Sequence, residues 1–211
     1  MRKLLVCDVV GTVVNDGGKV YRVLGEVLSN IGVPKKDLPL FHGMCKRDAI
    51  RRGIMRYTKG NEDTVNVAHR YFKKELRKEY KSGIRLVHPS IPFHFDRLRR
   101  KGVHIALNTG YDRDMLDDIL QSVRLDVDYT IASDEVERGR PSSDMIDALV
   151  ERGGASGVIK VGDTRVDIEE GKNAGAYTIG VLSGAGSRLD LEDADLVVPN
   201  IMHVIVNDKI L

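Results

Sequence analysis

Neither sign of charge is in excess in this chain: 33 lysines and arginines face 31 aspartates and glutamates over 211 residues, a formal net charge of +2. Such a balance offers no electrostatic footprint for nucleic acid or for a membrane surface, so neither is expected as a partner. No apolar run is long enough to span a bilayer. The opening Met1-Arg2-Lys3-Leu4-Leu5-Val6 imitates a secretory leader only faintly, because Asp8 breaks the run and no small-residue cleavage site follows. Cysteine is scarce, with only Cys7 and Cys45, which reads as reduced thiols in a cytoplasmic protein. Cys7 is most simply a small core residue. Internal repeats and low-complexity segments are missing too. At this length the chain can bury a full α/β core and still carry a small second domain.

What is present begins at Asp8. The run Leu4-Leu5-Val6-Cys7 ends abruptly in this carboxylate, followed by Val9-Val10-Gly11-Thr12. A strand that drops a lone Asp at its C-terminal end and then turns places it where α/β proteins bind ligands. An uncompensated buried carboxylate is costly, so Asp8 is expected to face a cation or a reacting group.

Periodicity divides the rest. Residues 15–91 read as charged helices with apolar stripes at Leu24, Val27, Leu28 and Ile31, at Ala49, Ile50 and Ile54, and at Val65, Ala68, Tyr71, Phe72 and Leu76, with no strand among them. From Phe93 onward strands and helices alternate. Strands are expected at 103–107, 129–131, 158–161, 177–181 and 196–198, and helices at 113–123, 143–152 and 166–174. Alternation of this kind predicts parallel strands joined by right-handed crossovers. The expected architecture is therefore a Rossmann-like parallel sheet core, residues 1–14 and 92–211, with a helical cap domain of residues 15–91 inserted after the first strand.

Four strand-end loops then fall on one edge of the sheet. Asn108-Thr109-Gly110 precedes a helix and offers a hydroxyl and amides as an anion cradle. Gly139-Arg140-Pro141 supplies a guanidinium suited to phosphate or carboxylate. Gly162-Asp163-Thr164-Arg165-Val166-Asp167 carries two carboxylates four residues apart. Taken singly, Thr109 reads as a helix cap, Arg140 as a solvated surface residue, and Asp163 with Asp167 as a cap and a first-turn acid. Taken in order with Asp8, they describe a phosphate-and-magnesium site.

That order resembles the haloacid dehalogenase superfamily with a cap after its first motif. The resemblance implies Asp8 as the nucleophile that forms an aspartyl-phosphate, and Thr12, Lys46, Thr109 and Arg140 as catalytic residues. It implies Thr109, Gly110, Lys46 and Arg140 at the substrate. Mg2+ would be held by Asp8, the Val10 carbonyl and Asp163, with Asp167 orienting that shell. Where phosphomonoesterases of the superfamily carry a second Asp as acid and base, this chain has Val10, a loss that typically lowers rates about 100- to 10,000-fold.

A narrower resemblance addresses that gap. The apolar third residue of the first motif, Asn108-Thr-Gly-Tyr-x-Arg-Asp-Met115, Gly139-Arg-Pro141 and Val161-Gly-Asp-Thr164 are together similar to the phosphonoacetaldehyde hydrolase branch. There a cap lysine forms a Schiff base with the substrate aldehyde, and the imine takes up the electrons of the breaking carbon–phosphorus bond. Lys46 is the lysine so implied, in Gly43-Met-Cys-Lys-Arg-Asp48. Ala49 and Gly18 stand where members of that branch typically carry a histidine and a cysteine. The substrate expected is a small phosphonate or phosphate compound. Two other readings stay open: a slow phosphomonoesterase with its acid supplied by the cap, from His42 or His69, or a non-hydrolytic phosphate-binding module. A homodimer is left open.

Overall fold

The computed structural model describes residues 2–207; Met1 and 208–211, the outer ends of the expected core, lie outside the described residues. The apolar run ending in Asp8 is strand β1 (Lys3–Asp8). It sits inside a six-stranded sheet with β4 (Val103–Thr109), β5 (Tyr129–Ala132), β6 (Gly157–Gly162), β7 (Tyr177–Val181) and β8 (Leu196–Val198). The strand order is β5-β4-β1-β6-β7-β8, and every pairing is parallel. Parallel neighbours need crossovers, supplied here by helices α5 (Arg113–Val123), α6 (Asp144–Gly153) and α7 (Arg165–Asn173). The chain winds outward from β4 on one side of β1 and from β6 on the other, so the winding reverses beside Asp8. Doubly wound sheets open their ligand crevice at such a reversal.

Strand periodicity assigns the faces. Leu5, Cys7, Ile105, Leu107, Ile159 and Val161 share one core, whereas Leu4, Val6 and Ala106 share another with Ile146 and Leu149 of α6. Extending the alternation by one step puts Asp8, Asn108 and Lys160 all on the α6 side of the sheet.

Between β1 and β4 run α1 (Lys19–Asn30), a 3-10 stretch at Lys35–Phe41, α2 (Lys46–Tyr57) and α3 (Glu62–Tyr80). These helices pack on one another through their apolar stripes. In α3 the buried face is Val65, His69, Phe72 and Leu76, while Tyr71, expected in that stripe, is half exposed. A reciprocal cap starts α3: the Asn61 side chain accepts from the Thr64 amide and the Thr64 hydroxyl accepts from the Asn61 amide.

Two features differ from expectation. Strand β2 (Val14–Asn15) pairs antiparallel with β3 (Arg85–Leu86) at the foot of the helical stretch, where no strand is expected. Two-residue strands carry no period to detect. Helix α4 (Ile91–Arg100) precedes β4, with Pro92 in its first turn, where the missing amide hydrogen does no harm. A short α8 (Met202–Ile205) ends the described chain.

Candidate active site

Asp8 ends β1 beside Asn108 of β4, and both are buried. The Arg140 guanidinium reaches across from the loop before α6: its Nη1 donates to Asp8 Oδ1 at 2.8 Å, and Nη2 donates to the Asn108 backbone and side-chain oxygens at 2.9 and 2.8 Å. Arg140 is only 4% exposed, so the solvated reading of this residue does not hold. Thr109 is buried beside the same cleft, and the N-cap position of α5 is Asp112, with the Arg113 amide donating to Asp134 Oδ1, so Thr109 is not a helix cap.

Asp163 follows β6 and is pinned by backbone. Its Oδ2 accepts from the Ala185 amide at 2.8 Å, and the Thr12 hydroxyl donates to Oδ1 at 3.3 Å. Gly11, at φ 101°, and Gly184 approach so closely that a Cβ would lie 2.4 and 1.9 Å from Asp163 Oδ2. Neither position tolerates a side chain. Asp167 does two jobs at once. Its Oδ2 accepts from the amide and hydroxyl of Thr164, the cap residue of α7, in a reciprocal capping box, while Oδ1 lies 2.9 Å from Arg140 Nη1 and 3.0 Å from Lys160 Nζ. The first-turn reading of Asp167 thus holds but is incomplete, and the cap is Thr164, not Asp163.

Lys160 and Glu170 escape a reading by motif, and Asn108 opens a motif without a role of its own in it. Lys160 Nζ donates to Asn108 Oδ1 at 2.6 Å and lies 3.0 Å from a Glu170 oxygen; Glu170 accepts both contacts of the Asn108 amide at 2.8 and 2.9 Å. All three are wholly buried. The available signal is a lysine inside an apolar strand and a glutamate three residues after Asp167, hence on the same helical face.

The helical stretch contributes Lys46 at the start of α2. Its amide donates to the Gly110 carbonyl at 2.8 Å, and its Nζ donates to the Met44 carbonyl at 3.0 Å. The ammonium lies 5.1 Å from the Tyr111 ring centroid and 5.8 Å from that of Tyr21. Lys46, Asp8, Val10, Thr109, Gly110, Arg140, Asp163 and Asp167 line one tight cleft with about 10 Å³ of free volume. Thr12 stands behind it, bonded to Asp163. Neither His42 nor His69 lines it: the His42 ring packs 4.1 Å from Tyr21, and His69 faces Asp112 at 3.6 Å.

Burial drives the electrostatics. It raises the Asp163 carboxyl well above the usual range, with Asp8 and Asp167 adding to it, and it raises Asp8 as well. Burial opposes ionisation of Asp167, but Arg140 and Lys160 outweigh it and hold that carboxyl low. The Lys46 ammonium is pushed down by burial, with Asp8 opposing and Arg140 adding. Cys7 and Cys45 are free, and burial pushes the Cys7 thiol to about 12.

The residues fit a hard divalent cation. Asp8, Asp163 and Asp167 each offer a carboxylate oxygen within 4.8 Å of the others, an all-oxygen donor set of the kind Mg2+ takes. Around the sheet edge four buried carboxylates, Asp8, Asp163, Asp167 and Glu170, meet three buried basic side chains, Arg140, Lys160 and Lys46. Acids outnumber bases by one, and Asp167 Oδ1 receives no well-directed hydrogen bond from its cationic neighbours.

The haloacid dehalogenase-like hydrolase family model matches residues 2–175. The chain belongs to that family. It is 34% identical over 141 residues to the phosphonoacetaldehyde hydrolase of Bordetella pertussis, covering 63% of this chain and 50% of that protein. Identity to the Bacteroides fragilis phosphonoacetaldehyde hydrolase is 33% over 157 residues, 69% of this chain and 58% of that protein. The matches thus span about half the length of these curated relatives. Among solved structures, a phosphonoacetaldehyde hydrolase-like protein from Oleispira antarctica aligns with a TM-score of 0.80 at 21% identity, over 97% of this chain and 91% of that one. No helix among the described residues is long and apolar enough to cross a membrane.

Proposed function

We propose that this chain is a cytoplasmic, magnesium-dependent, phosphonatase-like hydrolase that cleaves the carbon–phosphorus bond of a small oxo-phosphonate. Residues 15–91 act as a cap over a core of 1–14 and 92–211. The observation that carries this reading is Lys46: a buried amine with a depressed pKa in the same cleft as Asp8, where nothing at Val10 can serve as acid.

The Lys46 ammonium gives up a proton, the neutral amine adds to the substrate carbonyl, and that proton returns as the carbinolamine oxygen leaves as water, giving a protonated imine. Asp8 then attacks phosphorus. The electron pair of the carbon–phosphorus bond flows into the imine, giving an enamine on Lys46 and a phosphoryl group on Asp8. Water hydrolyses both, returning the amine, the carboxylate, the aldehyde product and phosphate. Arg140 and Thr109 hold phosphoryl oxygens against Asp8, and Asp167 fixes Arg140. Mg2+ held by Asp8, Asp163 and the Val10 carbonyl would supply further neutralisation of phosphoryl charge. A route through a phosphoester lacks an acid, since neither cap histidine lines the cleft.

Borohydride reduction in the presence of phosphonoacetaldehyde, read by peptide mass, tests the reading. The adduct is expected on Lys46 and is expected to vanish in Lys46→Arg, whose guanidinium keeps the charge but cannot form the imine. Turnover of the phosphonate by Lys46→Arg at the parent rate would overturn it.

A further inference from the structure

The cleft around Asp8 has about 10 Å³ free, roughly one water, so it leaves no room for the organic part of a substrate. Next to it lies a second cavity of about 120 Å³, which shares Val10 and Tyr21 with the cleft as common walls. That is close to the size of cavities that hold a six-carbon ring, about 150 Å³, so it has room for several heavy atoms. Its remaining walls are Gly11, then Asn15, Asp16 and Gly18 at the end of β2 and beyond it, and Ser183 to Ala185 after β7. Gly18 brings no side chain, and a Cβ built on it meets nothing within 4 Å.

Among the polar side chains of this cavity, Asp16 and Ser183 offer acceptors. Asp16 is 5% exposed, and no lysine, arginine or histidine among the described residues forms an ion pair with it. Its oxygens meet only neutral donors: the Gly18 amide on Oδ1 at 2.8 Å, and the Val20 amide and Tyr80 hydroxyl on Oδ2 at 2.8 and 3.2 Å. One lone pair of Oδ1 is left over. The Ser183 hydroxyl spends its proton on the Gly11 carbonyl at 2.7 Å, so it too offers only lone pairs to the cavity. A buried carboxylate without a cation, beside an acceptor-only hydroxyl, is complementary to a positively charged donor.

Resting on the reading of the Asp8 cleft as a phosphoryl site, we propose that this cavity is a subsite for an ammonium group on the organic part of the substrate. The substrate class is then an oxo-phosphonate that carries a further amine. Phosphorus sits at Asp8, the chain passes Val10 and Tyr21, and the ammonium pairs with Asp16 and Ser183. The position that carries an acid in phosphomonoesterases is here an apolar shoulder over which the substrate bends.

Titration calorimetry on the full chain with Mg2+ tests this, using three probes that cannot turn over: inorganic phosphate, butylphosphonate and 3-aminopropylphosphonate. The last two have the same shape and differ by a methyl against an ammonium. The amine is expected to bind about tenfold tighter than the butyl compound or better. That preference is expected to fall to within about twofold in Asp16→Asn. Ser183→Leu, which fills the cavity, is expected to weaken both alkyl probes while phosphate binds as in the parent. Equal affinity for the two alkyl probes in the parent, or a preference that survives both variants, overturns the subsite while leaving the phosphoryl site standing. Failure of inorganic phosphate to bind the parent overturns the phosphoryl site itself, and the subsite with it.

Discussion

A single residue, Asp8, ties together the charge arrangement of the site, because it touches Arg140 and lies close to the Lys46 charge. Asp8→Asn keeps shape and removes the negative charge, so hydrolysis is expected to fall by about 10,000-fold or more while the fold survives. The same variant shifts Lys46. Asp8 favours the ammonium form, so removing its charge makes the amine easier to deprotonate. In the parent, imine trapping is expected to rise with pH through a midpoint below the free lysine value of about 10.4, because burial disfavours the charged form. In Asp8→Asn that midpoint is expected to move lower still. A midpoint at the free lysine value in both proteins would remove Lys46 from the cleft chemistry. At this scale Asp8, Thr109 and Asp163 are legible from sequence, because each sits where a strand ends and a turn begins, and Asp167 because it opens the helix that follows. Tyr21 and Tyr111 are not, since nothing in their local spacing says that their rings meet Lys46.

The elements that matter most are β6 and α7, which together carry Lys160, Asp163, Asp167 and Glu170. Both are evident from periodicity to within a residue or two. Their function as a charge ladder is not, because it depends on the strand face that turns Lys160 toward α7, where Gly171 lets the lysine stem approach: a Cβ there would lie 2.9 Å from it. The ladder is held by reciprocity, with Lys160 joined to Asp167, Glu170 and Asn108. Removing one partner strands the rest. Lys160→Met is therefore expected to cost about 3 to 5 kcal/mol, a fall of roughly 10 °C in thermal midpoint for a chain of this size. A fall of less than about 2 °C would mean the ladder is solvated or already relaxed. Helix α4 and the β2–β3 pair show the opposite limit. The strands of that pair are two residues long and show no period, whereas α4 buries Ile91, Phe95 and Leu98 at i, i+4 and i+7, a helical period that the proline at its start obscures.

At the scale of the whole molecule, the helical stretch and the sheet meet through contacts of two kinds. Around the site they are close and uncharged, such as the Lys46 amide on the Gly110 carbonyl. Along the outer side they are ionic: Lys73 of α3 pairs with Asp112 and Asp114, and Arg77 pairs with Asp114 and Asp118 of α5. This division is invisible in sequence, because Lys73 and Asp112 are 39 residues apart and each looks like one more surface charge. A cleft with about 10 Å³ free admits no phosphonate as it stands, so substrate entry is expected to require the helices to move from the sheet. Partly exposed ion pairs contribute about 0.2 to 1 kcal/mol each and weaken with salt, so the four together set the opening equilibrium by about tenfold. The double substitution of Lys73 and Arg77 by methionine is therefore expected to speed hydrogen exchange at the Lys46 amide by about tenfold, and amides of β1 are expected to exchange as before. Added salt should reproduce the effect in the parent and have little further effect in the variant. If Lys46 exchanges at one rate in every case, the apolar packing of α1 to α3 holds the helices in place and the ionic edge does not govern entry.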